Sequence, residues 1–118
     1  MTGGNRPSAH ELLPLTPIAF DILLALHDGE AHGYAIMRSL QERTGSTGIH
    51  AGTLYRALSR LVDAGLIEEV EDPKTDGADE RRRYYRVLEL GRQVAAAEAR
   101  RLESQLGAAR ALGLLGGA

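Results

Sequence analysis

The fold is decided by residues 33–67, which read GYAIMRSLQERTGSTGIHAGTLYRALSRLVDAGLI. Tyr34, Met37 and Leu40 recur at helical spacing with Ile36 beside them, and a glycine follows where such a helix would end. After a short connector, a second set of apolar residues recurs at helical spacing and again ends at a glycine. The stretch therefore predicts two helices joined by a tight turn.

The second of these helices is predicted to be strongly amphipathic. Its apolar stripe consists of Leu54, Leu58, Leu61 and Val62. Away from that stripe lie polar and basic side chains, namely Thr53, Arg56, Ser59 and Arg60. One face is therefore expected in the core and the other at the surface.

An earlier helix begins at Thr16-Pro17, because threonine caps free amide groups and proline is favoured at the first helical position. The next residues, IAFDILLALH, are apolar on nearly every side, and Asp28-Gly29 ends the run. Such a helix is buried from several directions, which indicates a partner chain.

A hairpin and a last helix complete the chain. In the second strand, alternation places Tyr85 and Val87 on one face and Arg82, Tyr84 and Arg86 on the other. The predicted elements are helices at about 16–27, 33–44 and 51–64, strands at 66–72 and 82–88, and a helix from 89 to 106 or 112.

These elements predict a mainly α chain with a small β-hairpin, a winged helix-turn-helix followed by a C-terminal helix. The predicted divisions are a flexible tail at 1–15, a winged domain at 16–88, the last helix at 89–112 and a flexible tail at 113–118.

Composition bounds the function. The chain has 118 residues, 43% of them hydrophobic and 25% charged, as expected for one globular domain. It has no cysteine, no apolar stretch long enough to span a membrane and no secretory signal, so we expect a cytoplasmic protein. The net charge of -2 gives no general attraction to nucleic acid, although four arginines between Arg38 and Arg60 stand against Glu42 alone.

The outer face of the third helix is the first candidate site. In helix-turn-helix proteins the second helix of the motif enters the major groove. Hydroxyl groups bond phosphates and arginine also reads guanine, so Thr53, Arg56, Ser59 and Arg60 suit DNA, with His50 at the helix entry. The alternative is an ordinary solvated helix face.

The hairpin loop is the second candidate site. Arg81, Arg82 and Arg83 stand at its end and Lys74 at its beginning, where basic groups follow phosphates beside a groove. The alternative is a charged edge that prevents strand aggregation, and acidic residues of the loop neutralise much of this charge.

No enzyme, cofactor or metal site is predicted. The chain has four histidines without metal-ligand spacing, His10, His27, His32 and His50. No glycine-rich phosphate loop follows a strand, and no serine occupies a nucleophile elbow.

The segments LTPIAFDILLAL, HGYAIMRSLQERTG, GTLYRALSRLVDAGLI and RRRYYRV, in this order, resemble the PadR family of bacterial transcriptional regulators. The resemblance covers about residues 15–106. It implies a dimeric repressor of double-stranded DNA that uses Tyr34, Thr53, Tyr55, Arg56 and the hairpin arginines. Tyr55 has a competing interpretation, as a residue that packs beside Leu54 and Leu58.

The resemblance also implies that the last helix pairs with its counterpart and with the first helix. The residues it assigns to dimerisation are Ile18, Ile22, Leu90, Val94, Ala97, Leu102, Leu106 and Ala109. A threonine common in the family before the last helix is replaced by Leu88, so a capping bond is absent. A small-molecule effector is possible, but without tryptophan it is not expected to stack between aromatic rings.

A rival hypothesis is a winged-helix module that binds a protein partner through the third helix or the hairpin. The acidic balance of the chain favours it. The threonine, serine and arginine of the third helix favour DNA instead, and the salt dependence of binding discriminates the two.

Overall fold

The computed structural model describes residues 9–45, 50–71 and 83–116. The helices are α1 (Pro17–His27), α2 (Gly33–Thr44), α3 (Ala51–Asp63) and α4 (Glu89–Ala111), and the strands are β1 (Ala31–His32), β2 (Ile67–Val70) and β3 (Tyr84–Val87). The predicted helices and both predicted strands are present in the predicted order. The strands are shorter than expected, and β1 was not predicted.

The helix ends follow the local chemistry of the sequence. The Ala19 amide donates to Thr16 Oγ1 at 3.2 Å, and Pro17 occupies the first helical position, so Thr16 caps α1 as predicted. At the end of α2, Gly45 takes the left-handed conformation with φ of 68°. These two signals place the boundaries where the sequence predicted them.

The strands form one antiparallel sheet in the order β1-β3-β2. Ile67 pairs with Val87 and Glu69 with Tyr85 across β2 and β3, while β1 pairs on the other side of β3. Tyr85 and Val87 are buried and Arg86 is exposed, which confirms the predicted alternation of β3. The added strand makes the wing a three-stranded sheet at its base.

The core sits between α1 and the elements that surround it. Helix α1 contacts α2, α3, β3 and α4. Its Ile22, Leu23 and Leu26 are buried within the single chain, beside Leu40, Leu58 and Val94 of the other helices. Packing inside the chain therefore accounts for the buried side of α1, while Ile18, Phe20 and Leu24 stay partly exposed. The partner chain indicated by the sequence stays a prediction.

Residues 9–15 differ from the predicted flexible tail. Ala9–Leu12 form a 3-10 helix that contacts α4, and three leucines of this arm (Leu12, Leu13 and Leu15) are partly buried against the core. The carboxylate of Glu98 on α4 is buried and receives two hydrogen bonds from Arg101 at 2.7 and 2.8 Å. Apolar burial holds the arm on α4. Residues 1–8 of the predicted tail lie outside the described ranges.

Helix α4 begins against the base of the wing. The Leu88 amide donates to the Leu66 carbonyl at 2.9 Å, and a Cβ at Gly91 would lie 2.1 Å from that same oxygen. Leu88 provides no side-chain cap, as predicted. At the other end, Gly113 is left-handed and the Leu114 amide donates to the Ala109 carbonyl, so the start of the predicted second tail forms a turn that closes α4.

Candidate nucleic-acid interface

Helix α3 presents a polar face to solvent. Leu54, Ala57, Leu58 and Leu61 are buried in the core. The four residues predicted for DNA contact are all exposed, namely Thr53, Arg56, Ser59 and Arg60. The two-sided character predicted for this helix is therefore confirmed, and the candidate face is free of contacts with the core.

Arg56 lies back along the first turn of α3. Its Nη2 donates to Thr53 Oγ1 at 3.4 Å, and its Nη1 lies 3.3 Å from the position that a Cβ at Gly52 would take. His50 precedes the helix, is exposed and makes no capping bond with its side chain. The N-terminal end of α3 therefore carries a guanidinium and an imidazole at the surface.

Tyr55 joins α3 to the start of α2. Its ring lies over Gly33, so closely that a Cβ at Gly33 would stand 2.8 Å from the Tyr55 hydroxyl oxygen. The residue is nevertheless 39% exposed. The ring therefore packs against the start of α2 while part of the residue stays at the surface, and its contact with DNA stays a prediction.

Tyr34 is 74% exposed at the start of α2. The helical pattern placed it on the same stripe as Ile36, Met37 and Leu40, yet Ile36 and Leu40 alone are buried and Met37 is half-buried. Tyr34 therefore lies outside the core, and its exposure leaves it accessible to a partner.

The arginines of β3 are paired with acidic residues. Arg83 is exposed, and its Nη1 lies 3.0 Å from Glu69 Oε2. Arg86, on the other face of the strand, pairs with Glu68 and, at 3.8 Å, with Glu30. Lys74, Arg81 and Arg82 lie outside the described residues.

Sequence reasoning missed these acidic partners. They face the arginines only through the register of the sheet, in which Glu68 stands opposite Arg86. The sequence did carry a signal for this pairing, because β2 is acidic and β3 is basic. Residues of opposite charge stabilise a sheet when they stand opposite each other on neighbouring strands.

Tyr85 stands two residues from Arg83 on the same face of β3. It is 4% exposed. Burial raises the pKa of the Tyr85 hydroxyl, the nearby charge of Glu69 raises it further, and Arg83 opposes both. The group therefore stays protonated and neutral.

The predicted dimerisation residues divide into two groups. Ile22 and Val94 are completely buried within the chain and Ala97 is buried as well, so these three side chains belong to the core of the single chain. Ile18, Leu90 and Ala109 are half-buried. Further along α4, Leu102 and Leu106 are exposed, followed by Leu112, Leu114 and Leu115.

The described residues contain neither a metal-binding cluster nor a membrane-spanning helix. Over residues 9–45, 50–71 and 83–116, no three His, Asp or Glu side chains are placed to hold a metal ion. Within the same ranges, no helix is both long enough and apolar enough to cross a membrane.

Three helices packed around one core, with the polar face of α3 outward and a β-ribbon after it, define a winged helix-turn-helix protein. The Transcriptional regulator PadR-like family matches residues 22–97, more than half of the chain. The chain belongs to this family, which confirms the resemblance. No curated protein sequence matches it.

Solved structures agree with this assignment. RosR of H. salinarum is 31% identical over 81% of this chain and 78% of its own, with a TM-score of 0.63. A transcriptional regulator from Clostridium thermocellum is 26% identical over 79% of this chain and 86% of its own, with a TM-score of 0.65. A PadR family transcription regulator from hypervirulent Clostridium difficile is 23% identical over 82% of this chain and 98% of its own, with a TM-score of 0.68. The family and the two clostridial relatives are transcription regulators.

Proposed function

We propose that the chain binds an inverted-repeat DNA operator as a homodimer and represses transcription. The observation that carries this proposal is the outward face of α3, where Thr53, Arg56, Ser59 and Arg60 are exposed together. Hydroxyl and guanidinium groups are the donors that contact phosphates and base edges. The rival protein-binding module would favour an apolar patch, which this set does not provide.

Each group has a role that follows from its chemistry. Arg56 and Arg60 read the O6 and N7 acceptors of guanine, because a guanidinium donates two parallel hydrogen bonds. Tyr34, Tyr55 and Arg83 contact phosphates at the edge of the groove, as do the loop residues Lys74, Arg81 and Arg82. The polar groups of Thr53, Ser59 and His50 complete the contacts of α3.

The dimer is formed through the distal half of α4. Leu102 and Leu106 are exposed one helical turn apart, with Ala109 further along. Two copies paired here would present two α3 helices to half-sites separated by about one turn of DNA, roughly 34 Å. A dimer bound across a promoter represses by excluding the polymerase, and acts in the cytoplasm where the chromosome lies. A small-molecule effector stays a prediction.

The test is selection of bound duplexes from a random pool, followed by anisotropy titration of the selected duplex at 50 and 200 mM salt. We expect an inverted repeat, with affinity falling about 10³- to 10⁵-fold as the counterions of roughly 6–10 phosphates are released. Repression is then measured by in vitro transcription with the operator placed over a promoter. Weak, unselective binding would contradict operator recognition and favour the protein-binding module.

A further inference from the structure

Leu66 connects α3 to α4 through its two backbone groups. Its amide donates to the Leu61 carbonyl of α3 at 3.0 Å, just after the left-handed Gly65 ends that helix. Its carbonyl accepts the amide of Leu88, the residue that leads from β3 into α4, at 2.9 Å. One buried residue therefore bonds both the last turn of α3 and the entry to α4.

A single residue joins the sheet to α4. Strand β3 ends at Val87 and α4 begins at Glu89, so Leu88 alone separates them. Ile67 pairs with Val87 across β2 and β3, and the bond between Leu88 and Leu66 continues this ladder by one step. The start of α4 therefore has no linker that would let it turn independently of the sheet.

Gly91 allows the first turn of α4 to rest on the same Leu66 carbonyl. The glycine is buried, and a Cβ at this position would overlap the Leu66 carbonyl oxygen and stand 2.8 Å from Val87 Cγ2. Real Cβ atoms essentially never approach other atoms so closely, and a backbone carbonyl cannot rotate out of the way as a flexible side chain can. Any larger residue would therefore push α4 away from Leu66.

We propose that Gly91 is a positioning residue, which fixes the angle between α3 and α4 and thereby sets the half-site spacing that the dimer accepts. This proposal rests on the operator binding and the α4 dimer proposed above. In a two-fold dimer joined through the distal half of α4, the separation of the two α3 helices depends on the direction in which each α4 leaves its own domain. The contact between Gly91 and Leu66 fixes that direction.

The length of α4 makes a small shift at Gly91 significant at the DNA. Leu106 lies 15 residues further along the helix, which is about 22 Å. A tilt of about 10° at Gly91 displaces Leu106 by about 4 Å. Each base pair inserted between two half-sites separates them by about 3.4 Å and turns one against the other by roughly 35°. The tilt is therefore comparable with one base-pair step.

The test compares the selected operator with two versions that have one base pair added or removed between the half-sites. The wild type should bind both altered versions at least about 10-fold more weakly, because its α3 helices are held at one separation. Gly91→Ala should lower that ratio of affinities about 10-fold and leave the affinity for an isolated half-site unchanged. Gly107→Ala is the matched control, since it adds the same methyl group to the same helix where a Cβ meets nothing within 4 Å.

An unchanged spacing preference in Gly91→Ala would overturn the proposal while leaving operator binding established. A wild type that accepts all three spacings equally would overturn it as well. If Gly91→Ala does not fold, Leu88→Pro is the second variant, because proline removes the amide that donates to Leu66. Leu88→Ala keeps that amide and is its control. Equal spacing preferences in these two variants would show that the contact with Leu66 does not orient α4.

A distance measurement is independent of DNA. The chain has no cysteine, so Asp63→Cys at the exposed end of α3 carries one spin label per copy. Double electron–electron resonance on the free dimer should give one narrow distance between the labels, and a shifted or broader distribution after Gly91→Ala. Equal distributions would overturn the proposal even where the operator binds. A labelled protein that is monomeric would refute the proposed dimer, and with it the role of Gly91 in half-site spacing.

Discussion

Single residues in the first turn of α3 determine the position of the Arg56 side chain. Arg56 lies over that turn because Gly52 has no side chain in its path. The Nη2 of Arg56 donates a hydrogen bond to Thr53 Oγ1 at 3.4 Å. The N-terminal residues of a recognition helix lie nearest the base edges. The absence of a Cβ at Gly52 therefore affects both the stability of the helix and the position of its guanidinium.

Gly52→Ala is expected to change stability and binding in opposite directions. Alanine favours a helix over glycine by about 1 kcal/mol, so the free energy of unfolding should rise by up to that amount. The new methyl group displaces Arg56, so operator affinity should fall about two- to tenfold, within the roughly 1–3 kcal/mol of a bidentate base contact. Urea unfolding and anisotropy titration measure the two effects.

The background Arg56→Ala serves as the control for this prediction. If Gly52 acts through Arg56, then Gly52→Ala costs no affinity once the arginine is gone. A loss that persists there would mean that the glycine itself approaches the DNA, and the account of Arg56 would be wrong.

At this scale the sequence predicted which side chains of α3 point outward, because helical spacing alone decides that. It did not predict that Glu69 and Glu68 pair with Arg83 and Arg86, since those contacts depend on strand register. The packing of Tyr55 on Gly33 likewise joins two motifs that are distant in the chain. Such partners become visible only when the tertiary structure is known.

Among the secondary-structure elements, α4 begins without a side-chain cap. Leu88 stands at the capping position with extended backbone, and its amide is already used by Leu66. The first-turn amides of α4 therefore lack the acceptor that threonine would supply.

A pair of isosteric variants measures this missing cap. Leu88→Thr and Leu88→Val remove similar apolar volume, but threonine alone brings an oxygen acceptor. We expect the threonine variant to be more stable than the valine variant by about 1 kcal/mol in urea unfolding. Equal stability would show that the first turn of α4 gains nothing from a capping acceptor at this position.

The arm at residues 9–15 is a second element whose stability has a specific origin. The Arg101 guanidinium bonded to the Glu98 carboxylate holds the pKa of Glu98 below its ordinary value of 4.5, and the Leu15 amide acts in the same direction. Because the folded pKa is the lower one, ionised Glu98 stabilises the fold above about pH 4.5, and this contribution is lost as the pH falls through the folded value.

Glu98→Gln is therefore expected to destabilise the protein at pH 7 and to flatten the fall in its stability as the pH drops below about 4.5. Glu103→Gln is the control, since Glu103 is an exposed glutamate on the same helix. Denaturant unfolding at a series of pH values checks both variants. An acid-dependent loss of the same size in wild type and Glu98→Gln would contradict the assignment.

The helices were predictable because their ends carry local signals, such as Thr16-Pro17 and Gly45. Strand β1 was not, because two residues become a strand only by pairing with β3. The arm was assigned to a tail for a similar reason, since its leucines pack against the core and its 3-10 helix contacts α4, more than 70 positions away. Elements that depend on distant contacts leave no periodic pattern in a sequence.

For the whole molecule, the distribution of apolar surface separates the domain core from the proposed dimer contact. The first half of α4 contributes Val94 and Ala97 to the core, whereas Leu102 and Leu106 in the second half are exposed. The sequence placed all four on one apolar side and could not divide them, because both kinds of burial give the same helical pattern.

The double variant Leu102→Glu/Leu106→Glu is expected to produce a folded monomer. The substitutions place charges in an apolar contact between two copies and leave the core residues of α4 unchanged. Sedimentation equilibrium should then give the mass of one 12.7 kDa chain, against twice that mass for the wild type. Operator affinity should fall about 10²- to 10⁴-fold, because one bound copy of the protein no longer holds the second copy at high local concentration near its half-site.

Ser104→Glu is the matched control, because residue 104 lies between the two leucines in sequence and about opposite to both around the helix. It adds charge to the same exposed segment and should leave the dimer and its affinity unchanged. If the double variant remains dimeric, the contact between copies lies elsewhere, and the half-buried Ile18 and Leu90 become the next residues to change. If Ser104→Glu also separates the copies, α4 contacts its partner on more than one face.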